Sequence, residues 1–231
     1  MMHEKMPFEN RPLSVLDFTG TLLIVGSAPL SPDVFQTARQ LAPHMIAADG
    51  GANHLEQLGV IPNAIIGDLD SLHSPKIWKS KTKLIQVQEQ DSTDFEKCLR
   101  LTRAPLTLAI GFTGGRLDHS LAALHALLYF SPRPIVMFDA EQLIFALPLS
   151  LRIEGKIGQF FSLFPLISTK IIHSTGLFWP LDGLTLCPGL MIGTSNKVVS
   201  NHIKITCENV GTLIIMPKCN LGSIVSALKC Q

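Results

Sequence analysis

Residues 64–71, Ala64-Ile65-Ile66-Gly67-Asp68-Leu69-Asp70-Ser71, indicate the fold class, because in them a short apolar run ends in glycine and acidic residues. Acidic clusters follow short apolar runs at 48–51, 90–94 and 114–119 as well. Such recurrence is typical of an open α/β sheet, since the carboxyl ends of its strands bring glycines and carboxylates to one rim, where ligands bind. Carboxylates at that rim predict a divalent metal and a polyphosphate.

Apolar runs of strand length alternate with amphipathic segments of helix length from Thr21 to about Leu147. The alternation predicts βα units and an α/β domain at 21–149 with a mainly parallel, Rossmann-like sheet, preceded by a leader at 1–20. The predicted strands are 21–25, 45–48, 64–66, 83–87, 106–110, 135–139 and 143–147.

Helix signals lie between these strands. Ser31-Pro32-Asp33 places a serine cap before a proline at the first helical position. Thr93 and Glu96 have the spacing of a capping box at the start of another helix. A third helix is predicted from an apolar stripe of leucines, namely Leu117, Leu121, Leu124 and Leu128.

The pattern changes after Pro148 to short segments of β character separated by Gly, Pro, Asn and Asp. This spacing of turn signals predicts a C-terminal domain at 150–231, built as an antiparallel β-sandwich or a partial barrel. Its predicted strands include 160–164, 184–186, 197–200, 202–206 and 211–215.

Composition limits the possible partners. The 231 residues are 46% hydrophobic and 16% charged, with a net charge of +1, so we expect neither nucleic acid nor an anionic membrane as partner. The five cysteines form no CxxC pair, which favours a reducing cytoplasm. We expect no membrane span either, because no apolar stretch approaches the required ~20 residues.

Asp68 and Asp70 are candidate metal ligands. They lie two positions apart directly after a strand, so both carboxylates point to the same side if the backbone stays extended. The alternative is a simple turn, since Gly, Asp and Ser are turn residues. Asp94 is a third candidate ligand, because a helix N-terminus suits a carboxylate that reaches a metal while backbone amides face phosphate.

Gly114-Gly115-Arg116 lies between a predicted strand and a predicted helix. Glycines there permit close backbone approach to an anion, and Arg116 adds a charged contact to phosphate oxygens. The alternative is an ordinary βα turn with a surface arginine. Neither GxxxxGK[ST] nor GxGxxG occurs, so the two common nucleotide-binding fingerprints do not apply.

Taken in order, the clusters resemble the thiamine pyrophosphokinase family, whose members transfer pyrophosphate from ATP to thiamine and release AMP. The resemblance rests on matching segments in both predicted domains, namely 48–53, 62–71, 90–99, 114–120, 176–181 and 193–196. It implies an α/β catalytic domain, a C-terminal β domain that helps to bind thiamine, and a homodimer whose active sites lie between subunits.

The resemblance also implies roles for single residues. Mg²⁺ ligands are expected at Asp68, Asp70 and Asp94. The nucleotide and phosphate site is expected to include Asp49, Gly50, Asn53, Thr93, Gly115 and Arg116. Thiamine contacts are expected from Gln90, Asp91, Trp179, Ser195 and Asn196, with Trp179 either stacking on the thiamine ring or filling the core of the β domain.

Asp118 occupies the family's acidic position after Gly-Gly-Arg, where it either organises the phosphate site or deprotonates the alcohol. We favour organisation, because metal neutralisation and alignment carry most of phosphoryl transfer. Two other functions stay open: a metal-dependent glycosyltransferase, since Asp68-Leu69-Asp70 is a DxD pattern, and a non-catalytic nucleotide- or vitamin-binding protein. The first does not explain Asp94 or Gly193-Thr194-Ser195-Asn196.

Overall fold

The structure, a computed structural model, describes residues 16–229. The strands are β1 (Leu16–Asp17), β2 (Leu22–Val25), β3 (His44–Ala48), β4 (Ala64–Gly67), β5 (Lys83–Gln86), β6 (Thr102–Arg103), β7 (Thr107–Ile110), β8 (Ile135–Phe138), β9 (Gln142–Ala146), β10 (Ser150–Glu154), β11 (Phe160–Pro165), β12 (Thr169–Thr175), β13 (Thr185–Leu186), β14 (Gly193–Lys197), β15 (His202–Cys207) and β16 (Thr212–Pro217). The helices are α1 (Pro32–Leu41), α2 (Gly51–Gln57), α3 (Pro75–Lys81), α4 (Asp94–Leu101), α5 (Leu117–Tyr129) and α6 (Leu221–Lys229).

Ten strands form one sheet in the order β14-β11-β16-β9-β8-β7-β2-β3-β4-β5. The run from β8 to β5 is parallel throughout. All four residues of β2, and of β4, are buried, as expected for a parallel sheet covered on both faces. The predicted α/β sheet is therefore confirmed, and the carboxyl ends of its parallel strands share one rim.

The antiparallel strands of the C-terminal half lie in two sheets. From β9 onward the large sheet continues antiparallel through β16, β11 and β14. A second sheet has the order β10-β15-β12-β13. Residues of both sheets share one buried apolar cluster, for example Leu151 and Ile205 with Phe161 and Ile214. This shared core makes the C-terminal half a sandwich, the first of the two architectures predicted.

The large sheet crosses the predicted domain boundary near residue 150. β16 lies beyond that boundary, yet it pairs along its length with β9, which precedes the boundary. The two halves are therefore joined by backbone hydrogen bonds, and the division at 149/150 stays a prediction. Part of the predicted leader is also folded, since Leu16–Asp17 pairs in parallel with Thr102–Arg103. Residues 1–15 lie outside the described range.

The predicted helix starts have the expected caps. The Ser31 side chain accepts a hydrogen bond from the Val34 amide, and Pro32 is the first residue of α1. At α4 the capping box is complete: the Thr93 hydroxyl accepts from the Glu96 amide, while the Glu96 carboxylate accepts from the Thr93 amide. This box determines where α4 begins and so places Asp94 in its first turn.

The helix predicted from the leucine stripe is confirmed as α5, but the stripe is not its most buried face. Leu117 is 73% exposed and Leu121 is 56% exposed, whereas Ala123, Ala126 and Leu127 are buried. The helix carries apolar residues on two faces, and alanines permit the closer approach to neighbouring elements. Hydrophobic spacing alone does not choose between two such faces.

Several elements differ from the predictions or were not predicted. Instead of a strand at 197–200, β14 covers Gly193–Lys197 and ends at the predicted starting residue. The unpredicted elements include β10, β12, α2, α3 and α6. α2 gives a weak sequence signal, since it begins with a glycine and lacks a side-chain cap, whereas α3 begins with Ser74-Pro75, the same start that predicted α1. No helix within residues 16–229 is long and apolar enough to cross a membrane.

Arg133 anchors the C-terminal end of α4, and its loss tests how far this anchor stabilises the fold. Its guanidinium donates to the Leu99 carbonyl and, at 2.9 Å, to the Thr102 carbonyl. Burial, with a smaller effect of Arg103, lowers the pKa of Arg133 to about 10, so it stays charged at neutral pH. We predict that Arg133→Met lowers the free energy of unfolding by about 1–3 kcal/mol, because buried carbonyls lose their donors.

Chemical denaturation of the two variants Arg133→Met and Arg152→Met measures this effect, since Arg152 is an exposed arginine and serves as the control. Equal stability of both variants would show that the anchor contributes nothing.

Candidate active site

A cleft of about 460 Å³ opens at the carboxyl rim of the parallel strands. Its wall includes the loop after β2, the turn after β7 and the starts of α4 and α5. Six residues predicted for the site line it: Asp68, Gln90, Thr93, Asp94, Gly115 and Arg116. The rings of Phe95 and Phe112, 4.2 Å apart between centroids, form an apolar part of the same wall. The cleft therefore combines a charged region with an apolar one, as ligand sites do.

Three carboxylates converge beside this cleft. One oxygen each of Asp49, Asp68 and Asp94 lies within 4.8 Å of the other two. Asp49 follows β3, Asp68 follows β4, and Asp94 begins α4. The sheet brings them together because β3 and β4 are neighbouring parallel strands with their carboxyl ends at the same rim.

Asp49 is the buried member, with 3% of its surface exposed. Its Oδ2 accepts from the Ser71 amide at 3.3 Å, whereas its Oδ1 is buried without a hydrogen-bond partner. Burial is the main cause that raises the pKa of Asp49, and the nearby Asp94 and Asp68 charges add to it. An orphaned carboxylate oxygen inside an acidic cluster is costly unless a cation binds it.

Gly67 makes this approach possible. A Cβ at position 67 would lie 2.6 Å from the Asp49 Cβ and 3.1 Å from the Asp94 Oδ1. Any side chain there would displace one of the two carboxylates. The last residue of β4 is therefore a glycine for a steric reason, since two acidic side chains occupy the space around it.

Asp68 is held by hydrogen bonds on both oxygens. Its Oδ1 accepts from the Asp70 amide at 3.4 Å, and its Oδ2 accepts from the Gln90 side chain at 3.2 Å. Burial acts to raise the pKa of Asp68, but hydrogen bonds from Gln90 and Asp70 and the charge of Lys97 outweigh it, so the pKa is lowered. Asp68 is thus ionised at neutral pH and directed by Gln90, the residue expected to contact thiamine.

Asp94 pairs with a buried lysine. Its Oδ1 accepts from the Lys97 ammonium at 3.0 Å, and Lys97 is only 2% exposed. Burial raises the pKa of Asp94, the hydrogen bond and charge of Lys97 oppose the rise, and Asp68 and Asp70 add to it. Lys97 was not predicted as a site residue, although a lysine between Phe95 and Cys98 on the apolar face of α4 is a signal for a buried charge.

Asp70 does not join the three converging carboxylates. The expectation that Asp68 and Asp70 point the same way required an extended backbone, but Leu69 has a φ of 68°. This left-handed conformation turns the chain, and Asp70 is exposed and accepts from the Ser71 hydroxyl at 2.9 Å. Asp49, predicted for the nucleotide site, takes the place in the cluster that was expected for Asp70. A metal-binding role for Asp70 stays a prediction.

Asn53 and Gly50 support the loop after β4. The Asn53 side chain donates to the Ser71 carbonyl at 2.9 Å and accepts from the His73 amide at 3.0 Å. At Gly50 a Cβ would lie 3.2 Å from the Ser71 Cβ, so a larger residue would crowd the same loop. Both residues act here on the loop's conformation. Asp91 is exposed in the loop before α4.

Arg116 and Asp118 form an exposed ion pair at the start of α5. Arg116 donates from Nε to the Asp118 Oδ1 at 3.1 Å and from Nη2 to Oδ2 at 2.5 Å. The hydrogen bond from Arg116 is the main cause that lowers the pKa of Asp118 to about 2. A carboxyl with so low a pKa is a weak base, and the geometry supports the organising role for Asp118.

The predicted thiamine residues of the β domain lie apart from the cleft, since none of Trp179, Ser195 and Asn196 lines it. Asn196 is 3% exposed and engages the backbone of Trp179: its Oδ1 accepts from the Trp179 amide at 3.1 Å, and its Nδ2 donates to the Trp179 carbonyl at 2.8 Å. Ser195 is exposed with a φ of 60°. Asn196 thus positions its neighbours.

Trp179 is a surface residue, so the alternative that it fills the core of the β domain is wrong. It is 56% exposed and makes an edge-to-face contact with Phe178, at 5.0 Å between ring centroids. The buried tryptophan of the chain is Trp78, at 2% exposure. An exposed aromatic pair whose backbone is held by a buried amide suits a stacking surface.

The three converging carboxylates fit a divalent cation. They offer only oxygen ligands, which Mg²⁺ prefers, and the unpartnered Asp49 Oδ1 is buried among them. The exposed part of the cluster faces the cleft through Asp68 and Asp94. The arrangement therefore suits a metal that is shared between protein carboxylates and an anionic ligand.

Known proteins are similar to this chain in both sequence and fold. Two family models match: "Thiamin pyrophosphokinase, catalytic domain" over residues 35–138 and "Thiamin pyrophosphokinase, vitamin B1 binding domain" over residues 149–210. Thiamine pyrophosphokinase 1 of Oryza sativa subsp. japonica is 30% identical over 199 residues, covering 71% of this chain and 75% of that protein. Thiamin pyrophosphokinase 1 of Caenorhabditis elegans is 28% identical over 182 residues, covering 70% and 74%.

Solved structures agree. The thiamin pyrophosphokinase of Geobacillus thermodenitrificans matches with a TM-score of 0.71 at 26% identity, covering 85% of this chain and 96% of that one. The yeast enzyme matches with a TM-score of 0.75 over 93% of this chain and 95% of that one, and at 19% identity it shows the fold alone. The two family models match consecutive parts of the chain, the catalytic domain first and the vitamin B1 binding domain second. This chain therefore belongs to the thiamin pyrophosphokinase family.

Proposed function

We propose that the chain transfers the pyrophosphate group of ATP to the hydroxyl of thiamine, giving thiamine diphosphate and AMP. Family membership supports this activity. The observation that carries the proposal is the convergence of Asp49, Asp68 and Asp94 beside a cleft that also contains Arg116. A site of this kind suits phosphoryl transfer, in which positioning and charge stabilisation do most of the work.

Asp49, Asp68 and Asp94 are the residues that would hold Mg²⁺. When bound, the ion neutralises negative charge on the phosphate oxygens and so lowers the barrier to transfer. The carboxylates are fixed beforehand by their own partners, which are the Ser71 amide, the Gln90 side chain and the Lys97 ammonium. This preorganisation avoids reordering the ligands during the reaction.

Arg116 and the start of α5 would bind the polyphosphate. Asp118 engages Nε and Nη2 of Arg116 and so holds the guanidinium in place, while the remaining N–H groups of this 70% exposed side chain can donate to phosphate oxygens. No side chain caps the N-terminus of α5, and a helix N-terminus favours anions. In the reaction the thiamine oxygen attacks the β-phosphorus, the bond to the oxygen bridging the α- and β-phosphorus breaks, AMP leaves, and the hydroxyl proton passes to solvent.

Thiamine would reach this cleft on the β domain of a second subunit. The exposed aromatic pair Phe178 and Trp179 supplies a stacking surface, yet neither residue lines the cleft of its own chain. Nearby in sequence, the turn carrying Leu190 (87% exposed), Met191 and Ile192 exposes further apolar surface. Exposed aromatic and apolar side chains of this kind suit a homodimer interface. A dimer would place one chain's aromatic pair at its partner's cleft.

A cytoplasmic setting is part of the proposal. It rests on cysteine usage, since the cysteines within residues 16–229 are free thiols. The glycosyltransferase alternative is not favoured, because Asp70 of the DxD pattern lies outside the carboxylate cluster while both family models are those of thiamin pyrophosphokinase.

Incubation of the purified protein with Mg²⁺, ATP and thiamine tests the activity. Chromatography should show AMP and thiamine diphosphate appearing in equal amounts. Release of ADP with thiamine monophosphate, or no product at all, would contradict the proposal.

Asp49→Asn tests the metal cluster. We predict that it weakens Mn²⁺ binding at least about tenfold, because the cluster loses a charged ligand whose Oδ1 has no other partner. Electron paramagnetic resonance of free Mn²⁺ measures the affinity. Asp33→Asn, an exposed aspartate in the first turn of α1, is the control and should bind Mn²⁺ as the unaltered protein does. Unchanged affinity in Asp49→Asn would remove Asp49 from the site.

Asp118→Asn tests whether Asp118 organises the phosphate site or acts as the base that deprotonates the alcohol. With a pKa of about 2, Asp118 is ionised at every pH of an ordinary assay. We therefore predict a several-fold higher KM for ATP, since Arg116 loses its partner, and an unchanged shape of the kcat profile from about pH 5 to about pH 9. Loss of an ionisation from that profile would instead identify Asp118 as the base.

Mixing two inactive variants tests the dimer. We predict that Asp68→Asn and Trp179→Ala, denatured together and refolded, regain up to about a quarter of the unaltered activity, because half of the random dimers contain one intact site. Asp68→Asn mixed with Asp94→Asn is the control, since both defects then lie in the same share of the site. Full activity in a monomeric sample would eliminate the shared site.

A further inference from the structure

Lys97 is a buried charge that contacts the proposed metal site. Its side chain is 2% exposed, although lysine is almost never fully buried unless it is paired. On α4 it lies among the buried residues Phe95, Cys98, Leu99 and Leu101. Burying an ammonium group costs desolvation free energy, so a charged partner is needed to offset it.

That partner belongs to the carboxylate cluster. The ammonium donates to the Asp94 Oδ1 at 3.0 Å, and its charge also acts on Asp68. Within residues 16–229, Lys97 is the cationic side chain that forms an ion pair with a member of the cluster. Three negative charges within 4.8 Å therefore have one positive charge beside them in the protein itself.

Lys97 lines the cleft, but it is less suited than Arg116 to contact a substrate. With 2% exposure Lys97 offers little surface to a ligand, whereas Arg116 is 70% exposed. Asp94 has two carboxylate oxygens, so the ammonium can hold Oδ1 while the other oxygen stays available. Together with one divalent ion, the formal charges of the three carboxylates and Lys97 cancel.

We propose that Lys97 is the built-in counter-cation of the metal centre: it holds Asp94 and offsets one of the three clustered charges, and so limits how tightly the cluster binds a divalent cation. The inference rests on the proposed function, because it concerns the metal site of the same cleft. Lys97 and the metal then compete as neighbours of the same carboxylates. Removing the ammonium should strengthen metal binding, the opposite of what losing a ligand does.

Mn²⁺ binding to the full chain without nucleotide, at about pH 8, tests this. We expect Lys97→Met to bind Mn²⁺ about tenfold more tightly or better than the unaltered protein. Lys97→Gln keeps a hydrogen-bond donor without the charge and should behave like Lys97→Met. Lys97→Arg keeps the charge, and Lys79→Met removes an exposed lysine of α3, so both should bind as the unaltered protein does.

Thermal unfolding with and without Mn²⁺ provides a second measure of Mn²⁺ binding, which also serves for variants of low stability. The rise in Tm on adding Mn²⁺ should be larger in Lys97→Met and Lys97→Gln than in the unaltered protein. Equal or weaker Mn²⁺ binding, or an equal or smaller rise in Tm, would overturn the proposal. If the unaltered protein binds Mn²⁺ but forms no product, only the activity proposed above fails; if it binds no Mn²⁺, the metal site and the role of Lys97 fail together.

Discussion

The close approach of two acidic side chains around a glycine is the constraint on which the site depends. Gly67 ends β4 in the space between Asp49 and Asp94, where a Cβ would lie 2.6 Å from the Asp49 Cβ. Parallel pairing of β3 with β4 brings their carboxyl ends together, and the capping box of α4 presents Asp94 at the same place. The sheet thus concentrates negative charge at its rim, and the buried ammonium of Lys97 offsets part of it.

The C-terminal half of the chain adds strands to the large sheet and forms a second sheet of its own. β16 pairs with β9, so the C-terminal strands continue the sheet that carries the carboxylates. Asn196 was expected to contact thiamine, but its side-chain amide forms two hydrogen bonds with the Trp179 backbone. Its effect on thiamine would then be indirect, through the exposed ring that it positions. Trp179 does not line the cleft of its own chain, so a homodimer with a shared site would be needed to bring this ring to a cleft.

Some parts of the fold and the site were predictable because they depend on local sequence. The strand-and-helix alternation, the Thr93–Glu96 capping box and the candidate ligands Asp68 and Asp94 are readable from neighbouring residues. Other parts depend on tertiary contacts or backbone conformation. The φ of 68° at Leu69 turns Asp70 away from Asp68. Leucine rarely adopts this left-handed backbone conformation, so the sequence gives no sign of it. Asp49 lies in the cluster because β3 and β4 are neighbours, and α5 buries Ala123 and Ala126 while Leu117 and Leu121 of its leucine stripe are exposed.

Anomalous scattering from crystals grown with Mn²⁺, a non-hydrolysable ATP analogue and thiamine would locate the metal and both ligands in one experiment. We expect a Mn²⁺ peak among the oxygens of Asp49, Asp68 and Asp94 of one subunit, beside the phosphates, with the thiamine ring against Trp179 of the other. A peak away from these three carboxylates would contradict the metal centre. Thiamine bound wholly within the chain that holds the metal would contradict the shared site.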